Sequence, residues 1–386
     1  MKNKIVIMLL LCSMTLIGCA NNKSKNNNSE SNIDNSQNTI QSSDNMSSTA
    51  SAPTEYKNID GKVTFDGEIS YGSLDNLCSY SASLQKIDTS KVEGDLLQEA
   101  KDYDSYSNTS EDECGNKKDY TSYINVYNGF YLASGPNSSN FSYLRGNCNF
   151  SNYAAAFRIE KKFDDYNADK FSTQEDLPFE SRQEAYSQIG DFLKALGFDS
   201  DFEYVSYSLD HSTLQNEEVH YDMDGNIDPS ENKDQWTQED DCYYVALRQI
   251  FNGVPIYYPY VSTFVNEDVE NYPINVMVNE NGIFSLNIDQ VFEFADEEKI
   301  DSVVEFDTVF DAVSDKFNDI LGDSTYVFDL AELVYYVDLS SNNGIYEVYP
   351  VWIIKGNETS GDSETEIQVF VDARTGDEII PWTQEL

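Results

Sequence analysis

The sequence predicts an α+β protein, with an N-terminal β-rich domain followed by two tandem modules, each a helix and an antiparallel meander. Three observations predict it. Tyr243-Tyr244-Val245-Ala246-Leu247 returns as Tyr335-Tyr336-Val337-Asp338-Leu339 some ninety residues on, and further matches follow in the same order. Each set is preceded by a stretch with apolar residues at helical spacing. The chain before both sets alternates apolar and polar residues with turn signals between, the habit of strands.

The leader comes first. Lys2 and Lys4 precede an apolar run, Ile5 to Ile17, too short for a bilayer, which needs about twenty residues, but suited to an export signal. The run ends in Leu16-Ile17-Gly18-Cys19, which resembles the lipobox of bacterial lipoproteins. That resemblance implies a signal peptide over 1–18 and diacylation of Cys19, two acyl chains being enough for stable anchoring. An ordinary secretory signal with a chance cysteine is the alternative. Within residues 19–54, the stretch Asn21–Thr54 is almost all Asn, Ser, Thr, Lys and Gln with no aromatic residue. Such a segment cannot bury enough apolar surface to offset its chain entropy, so a disordered tether is expected. As a flexible coil it reaches roughly 30 Å. The expected location is the extracytoplasmic face of the cell membrane, with the membrane met only through the lipid.

The chain carries 24 Lys plus Arg against 69 Asp plus Glu, a net charge of −45. That argues against nucleic acid, which demands basic patches. Solubility explains such a charge, and attraction for divalent cations or basic peptides is the sharper alternative. Of six cysteines, Cys12 would leave with the signal and Cys19 would take lipid. Cys78, Cys114, Cys148 and Cys242 remain, with three possible pairings. Cys114 and Cys148 bracket a predicted hairpin and are paired first.

The β-rich domain is placed at 55–171. Asn128-Gly129 between Ile124/Val126 and Phe130/Leu132 is the strongest hairpin signal, and the "NFSYLRG" and "YAAAFRIEK" stretches read as further strands. Module 1 is placed at 172–300. Ser181-x-x-Glu184 reads as a capping box, Ala185, Ile189, Phe192, Leu193 and Leu196 keep helical spacing, and Gly197 stops the helix. Module 2 covers 301–386. Its helix starts near Asp307 with Phe310, Val313, Phe317, Ile320 and Leu321 on one face, ended by Gly322. The meanders match through Tyr258-Pro259 and Tyr349-Pro350, then through Ile274–Val278 and Ile367–Val371. Pro259 and Pro350 mark a strand start or bulge, since proline donates nothing to a ladder.

Module 2 ends in "IQVFVDARTGDEII". This resembles the closing hairpin of PepSY-type domains, an alternating strand meeting a D-A-x-T-G-[DE] turn, and "YPVWII" resembles a strand of the related extracytoplasmic regulators of cell-wall sensor kinases. The resemblance covers the second module, the first loosely, and nothing before about Ser172. It implies a PepSY-like fold and a domain that binds or restrains a partner, often a peptidase or sensor. It brings no catalytic set.

Chemistry has few places to sit. The two histidines, His211 and His220, lie in a polar stretch, and G-x-S-x-G, H-E-x-x-H and G-x-x-x-x-G-K-[ST] are all missing. No catalytic residue and no enzyme is expected. The loop from His220 to Glu231 offers Asp222, Asp224, Asn226, Asp228 and Glu231 at spacings like those of a calcium loop, with His220 and Pro229 as departures. Calcium is set against a solvated insertion there, and no other cofactor is expected. Tyr349 and Trp352, beside Pro350, are the expected partner contacts. The expectation is a non-catalytic binding or regulatory module for another extracytoplasmic protein or peptide, acting by strand addition or groove binding. A carbohydrate- or calcium-binding surface lipoprotein is the alternative.

Overall fold

The computed structural model describes residues 53–381, apart from 73, 75–76, 101, 112–116, 135–138, 160–164, 223, 259–271, 301, 341–343 and 362. The first strands are β1 (Glu55–Asp60), β2 (Val63–Ser70) and β3 (Cys78–Leu84), followed by helix α1 (Glu93–Ala100). Next come β4 (Asp104–Glu111), β5 (Lys117–Asn125), β6 (Phe130–Ser134), β7 (Phe141–Leu144) and the short helix α2 (Phe150–Ala156). Helix α3 (Arg182–Ala195), β8 (Asp201–Leu209) and helix α4 (His211–Glu217) lead to β9 (Cys242–Phe251) and β10 (Val254–Tyr257). After β11 (Ile274–Asn279), β12 (Gly282–Ile288) and β13 (Phe292–Lys299) come helix α5 (Phe306–Asn318) and β14 (Thr325–Asp338). The chain closes with β15 (Tyr346–Ser360), β16 (Ser363–Asp372) and β17 (Glu378–Ile379).

The expected α+β fold of separate helix-plus-meander modules is overturned. The 17 strands are hydrogen-bonded into one large mixed sheet, and the described residues are 46% strand and 20% helix. The two matched segments also occupy different places. β9 pairs directly with β11, Val245 opposite Val276. β14 pairs with β15, which alone of the two pairs with β16. Alternation tells a chain to become a strand, but only side-chain fit across the ladder chooses its neighbour.

The N-terminal strands do not stand apart either. β2 lies parallel to β14 with Phe65 opposite Phe328, and β3 pairs with both β13 and β15. β7 pairs with β12, Tyr143 opposite Leu286. The short β10 joins the halves: Val254 pairs back on Phe251, and Ile256 runs parallel beside Tyr335. The β9–β10 turn needs positive φ at both Asn252 and Gly253, residues that tolerate it.

Local signals fared better where they acted locally. Ser181 and Glu184 exchange both hydrogen bonds of a capping box at the start of α3, whose Ala185, Ile189 and Leu193 are buried. β5 and β6 form the hairpin expected around Asn128-Gly129, with Asn125 opposite Phe130. The stretch read as a strand at Tyr153-Ala154-Ala155-Ala156 lies in α2 instead, alanine being the best helix former. Helix α5 buries Phe306, Val309, Phe310, Val313 and Phe317 against the sheet. It stops at Asn318, leaving Ile320 and Leu321 exposed beyond the expected apolar stripe.

Two cores carry most of the burial. One lies between α5 and strands β2, β3, β14 and β15, and includes Phe65, Phe328 and Trp352. The other lies under α1 and α3 against β6, β9, β11 and β12, and includes Leu96, Leu132, Ile189 and Val276. Each fully buried side chain of this size contributes about 1.5–3 kcal/mol from area removed from water. Between the halves, Arg248 of β9 is buried and donates to Glu203 of β8 and Glu332 of β14, each at 2.5 Å. Burial alone would raise the Glu332 carboxyl, but the Arg248 charge outweighs it and holds it below the usual range.

Candidate binding groove

An open groove lies where α1 meets the β5–β6 hairpin. Leaving β3, the chain anchors Ile87 in the core, and the Asp88 amide donates to the Leu196 carbonyl at the end of α3. Thr89 then opens the turn that leads into α1, its carbonyl accepting from the Val92 and Glu93 amides. Val92, Leu96 and Ala100 pin the helix to the core. The cavity is about 430 Å³, lined by Lys86, Asp88, Thr89 and Glu93 on one side and by Thr121, Tyr123 and Ser134 on the sheet.

Glu93 is its focus. The Tyr123 hydroxyl donates to one carboxylate oxygen at 2.6 Å and the Thr89 hydroxyl to the other at 3.1 Å. The hydrogen bond to Glu93, then burial, pushes the Tyr123 hydroxyl up to about 12. Hydrogen bonds from Ser90 hold the Asp88 carboxyl below its ordinary value. The groove thus offers carboxylate and hydroxyl oxygens, one ammonium and one aromatic edge. Such a surface suits hydrogen-bonded and cationic ligands.

Beside the groove runs an open strand edge. Among the described residues β4 pairs with β5 alone, which leaves its other edge open along Asp104–Ser107. Ser105 stands opposite Tyr123 and Ser107 opposite Thr121, which in turn stands opposite Ser134. Residues opposite one another share a face, so Ser105 and Ser107 continue the groove floor outward. Tyr103 packs edge-on against Tyr123 with ring centres 5.5 Å apart, and Tyr103 and Tyr106 are 43% and 47% exposed.

Residues singled out in the sequence lie elsewhere. Trp352 is 1% exposed, packed edge-on against Phe306 and Tyr71. Tyr349 is 8% exposed and covered by the Arg374 guanidinium, 4.0 Å from its ring centre. Neither presents a surface to a partner: they lie on opposite faces of β15 and both faces are packed, Trp352 in the core under α5 and Tyr349 in a cluster with Tyr336 and Phe370. In the 220–231 loop, the Asp222 carboxylate accepts from the Asn226 and Asp224 amides, which lowers it from its ordinary value. Asp228 caps the short turn Pro229–Glu231, accepting from the Ser230 amide at 3.0 Å and its hydroxyl at 2.6 Å. Asp222, Asp224, Asn226, Asp228 and Glu231 are not brought together as a cage: among the described residues no three His, Cys, Asp or Glu side chains gather to hold a metal ion.

Cys19 and Cys114 lie outside the described residues, and so, with Cys114, does its pairing with Cys148. Burial pushes the Cys148 thiol up to about 11. Cys78, Cys148 and Cys242 carry thiols rather than disulfides. The two histidines serve carboxylates instead. His211 Nδ1 lies 2.8 Å from buried Asp241. His220 Nε2 lies 3.0 Å from Glu218, which also accepts from Asn152 at 2.7 Å and the Trp236 indole at 2.8 Å. Burial raises the Glu218 carboxyl, but these hydrogen bonds and that of the Lys233 amide outweigh it, leaving it below the usual glutamate range.

Sequence reading missed the groove. One signal was available: Ser90-Lys91-Val92-Glu93 has the S-x-x-E spacing of a helix start. The approach of β5 and β6 to that helix had no local signal.

No family model matches the chain, and no curated protein does. Among solved structures, it is similar to that of an uncharacterized protein from Eubacterium rectale, with a TM-score of 0.56 and 16% identity, covering 86% of this chain and 94% of that one. At that identity the likeness establishes a shared fold. A second match is the C-terminal domain of YpeB from Bacillus megaterium, with 10% identity over 76% of this chain and 96% of that one. Its TM-score of 0.26 is too low to carry an argument.

Proposed function

We propose that this protein is a non-catalytic binding module, anchored by lipid on Cys19 to the extracytoplasmic face of the membrane, that engages another surface protein or peptide. The open β4 edge beside the groove carries this reading. An extended segment can join β4 through main-chain hydrogen bonds while its alternate side chains enter the groove, the mode by which strand addition combines affinity with specificity. The lipobox-like Leu16–Cys19 and the Asn/Ser-rich 19–54 segment support the anchoring. Among the described residues no helix is long and apolar enough to cross a membrane.

Lysine-directed cross-linking on intact cells, followed by purification through a tag at Leu386 and mass spectrometry, tests the reading. A defined partner whose cross-links map to Lys86 or Lys91 supports it. Partners linked only through distant lysines such as Lys355, or none at all, contradict it. The hydroxyl-rich lining of the groove also favours a second reading, a carbohydrate ligand. Saturable glycan binding lost in Tyr123→Ala would move the assignment there.

A further inference from the structure

Building on the reading of β4 as a docking edge, we infer that the segment it receives is a cationic strand, with a lysine or arginine on the face that meets Glu93. Three observations converge. Ser105 and Ser107, the β4 residues on the groove face, are both exposed and short, and so leave a channel from the strand edge to the β5 floor. A strand added to β4 lies two strand spacings, about 10 Å, from β5. A small side chain there falls short of the groove. A long one laid over Ser105 or Ser107 carries its charged head toward Glu93.

The groove's charge selects the sign. Asp88 and Glu93 line the groove with Lys86, Lys91 lies near Asp88, Asp102 and Asp104 stand at the start of β4, and the whole chain carries −45. The Glu93 carboxylate takes one hydrogen bond per oxygen from Tyr123 and Thr89, and each oxygen keeps a second lone pair for an incoming N–H. The two hydroxyls fix the carboxylate's orientation, so little ordering is left to be done when the cation arrives.

The test uses the full chain and a short fluorescein-labelled peptide of alternating threonine and lysine, read by anisotropy. The same peptide with glutamine for lysine is the comparison. The lysine peptide is expected to bind at least about tenfold more tightly, the loss of one charge-assisted pair. Glu93→Gln should weaken it by a similar factor. Glu364→Gln, an equal change in net charge at an exposed residue of β16, should leave it unchanged. Backbone amides of Asp104–Ser107 should gain hydrogen-exchange protection on binding.

Equal affinity for the two peptides overturns the inference. So does equal weakening by Glu93→Gln and Glu364→Gln, which would reduce the attraction to net charge. If Glu93→Gln fails to fold, exchange protection at Asp104–Ser107 of the unaltered protein decides: protection by the lysine peptide and not by the glutamine peptide is expected, and protection by neither overturns the inference. A partner cross-linked through Lys86 together with no preference for the lysine peptide would sink this inference and leave the docking reading standing. Loss of both results would sink both.

Discussion

The β14–β15 and β4–β5 hairpins are both long antiparallel pairs, and they meet their surroundings in opposite ways. β14 and β15 are flanked by β2, β10, β3 and β16 along much of their length, and their side chains from Leu333 to Val337 and from Val348 to Ile354 are almost wholly buried. Among the described residues β4 is paired on one side only, and its Asp104–Ser107 stretch presents serine and tyrosine. A strand with both edges paired and both faces covered has only a structural part to play. A strand with a free edge and short polar side chains beside a groove keeps its backbone available. The contrast teaches that the tyrosine-rich repeats are the framework, and it supports placing the proposed binding face on the less conspicuous polar hairpin.

If the contrast holds, the largest effects belong to the framework. Trp352→Ala should cost about 3–5 kcal/mol through the cavity it leaves, measured by urea unfolding of the full chain. Arg248→Met should cost a similar 3–5 kcal/mol or so, because the largely buried Glu203 and Glu332 carboxylates would lose their guanidinium partner. Tyr106→Ala on the open hairpin should stay within about 0.5 kcal/mol of the starting protein. A large loss there would break the comparison.

Acid sharpens it further. The Glu218 carboxyl is held below its ordinary value in the fold, so its contribution is complete above the unfolded-state value, about 4.3. It is lost as pH falls through the folded-state value. The urea midpoint should therefore drop on acidification below about pH 4.3, and Glu218→Gln should flatten that limb while lowering stability at neutral pH. A limb unchanged in Glu218→Gln would place the acid sensitivity in other carboxylates. The smallest effect concerns the 220–231 loop. Asp228→Ala should cost about 0.5–1 kcal/mol, as for a lost cap, and millimolar calcium should leave the melting temperature of both proteins unchanged. A calcium-dependent rise lost in Asp228→Ala would restore the loop as an ion site.

What the sequence revealed follows the range of the forces involved. The Ser181–Glu184 box and the Asn128-Gly129 hairpin were legible because a few adjacent residues settle each. The pairing of β2 with β14 was not, since its partners stand about 260 residues apart and alternation is equally satisfied by any neighbour. For the same reason the repeat suggested two equal modules, although β9 and β14 have different neighbours. Trp352 was mistaken for a contact because alternation along a strand does not show that both faces of the sheet are covered there. The groove was hidden because Glu93 and Tyr123 become neighbours only when α1 lies on β5.

The most direct test places a photo-cross-linking amino acid at Tyr106 or, separately, at Val327, positions of nearly equal exposure at 47% and 45% on the two contrasted hairpins. Irradiation of intact cells should give a discrete adduct from position 106 and none from position 327. Adducts from both positions alike, or from 327 alone, would contradict the assignment of the binding face to β4.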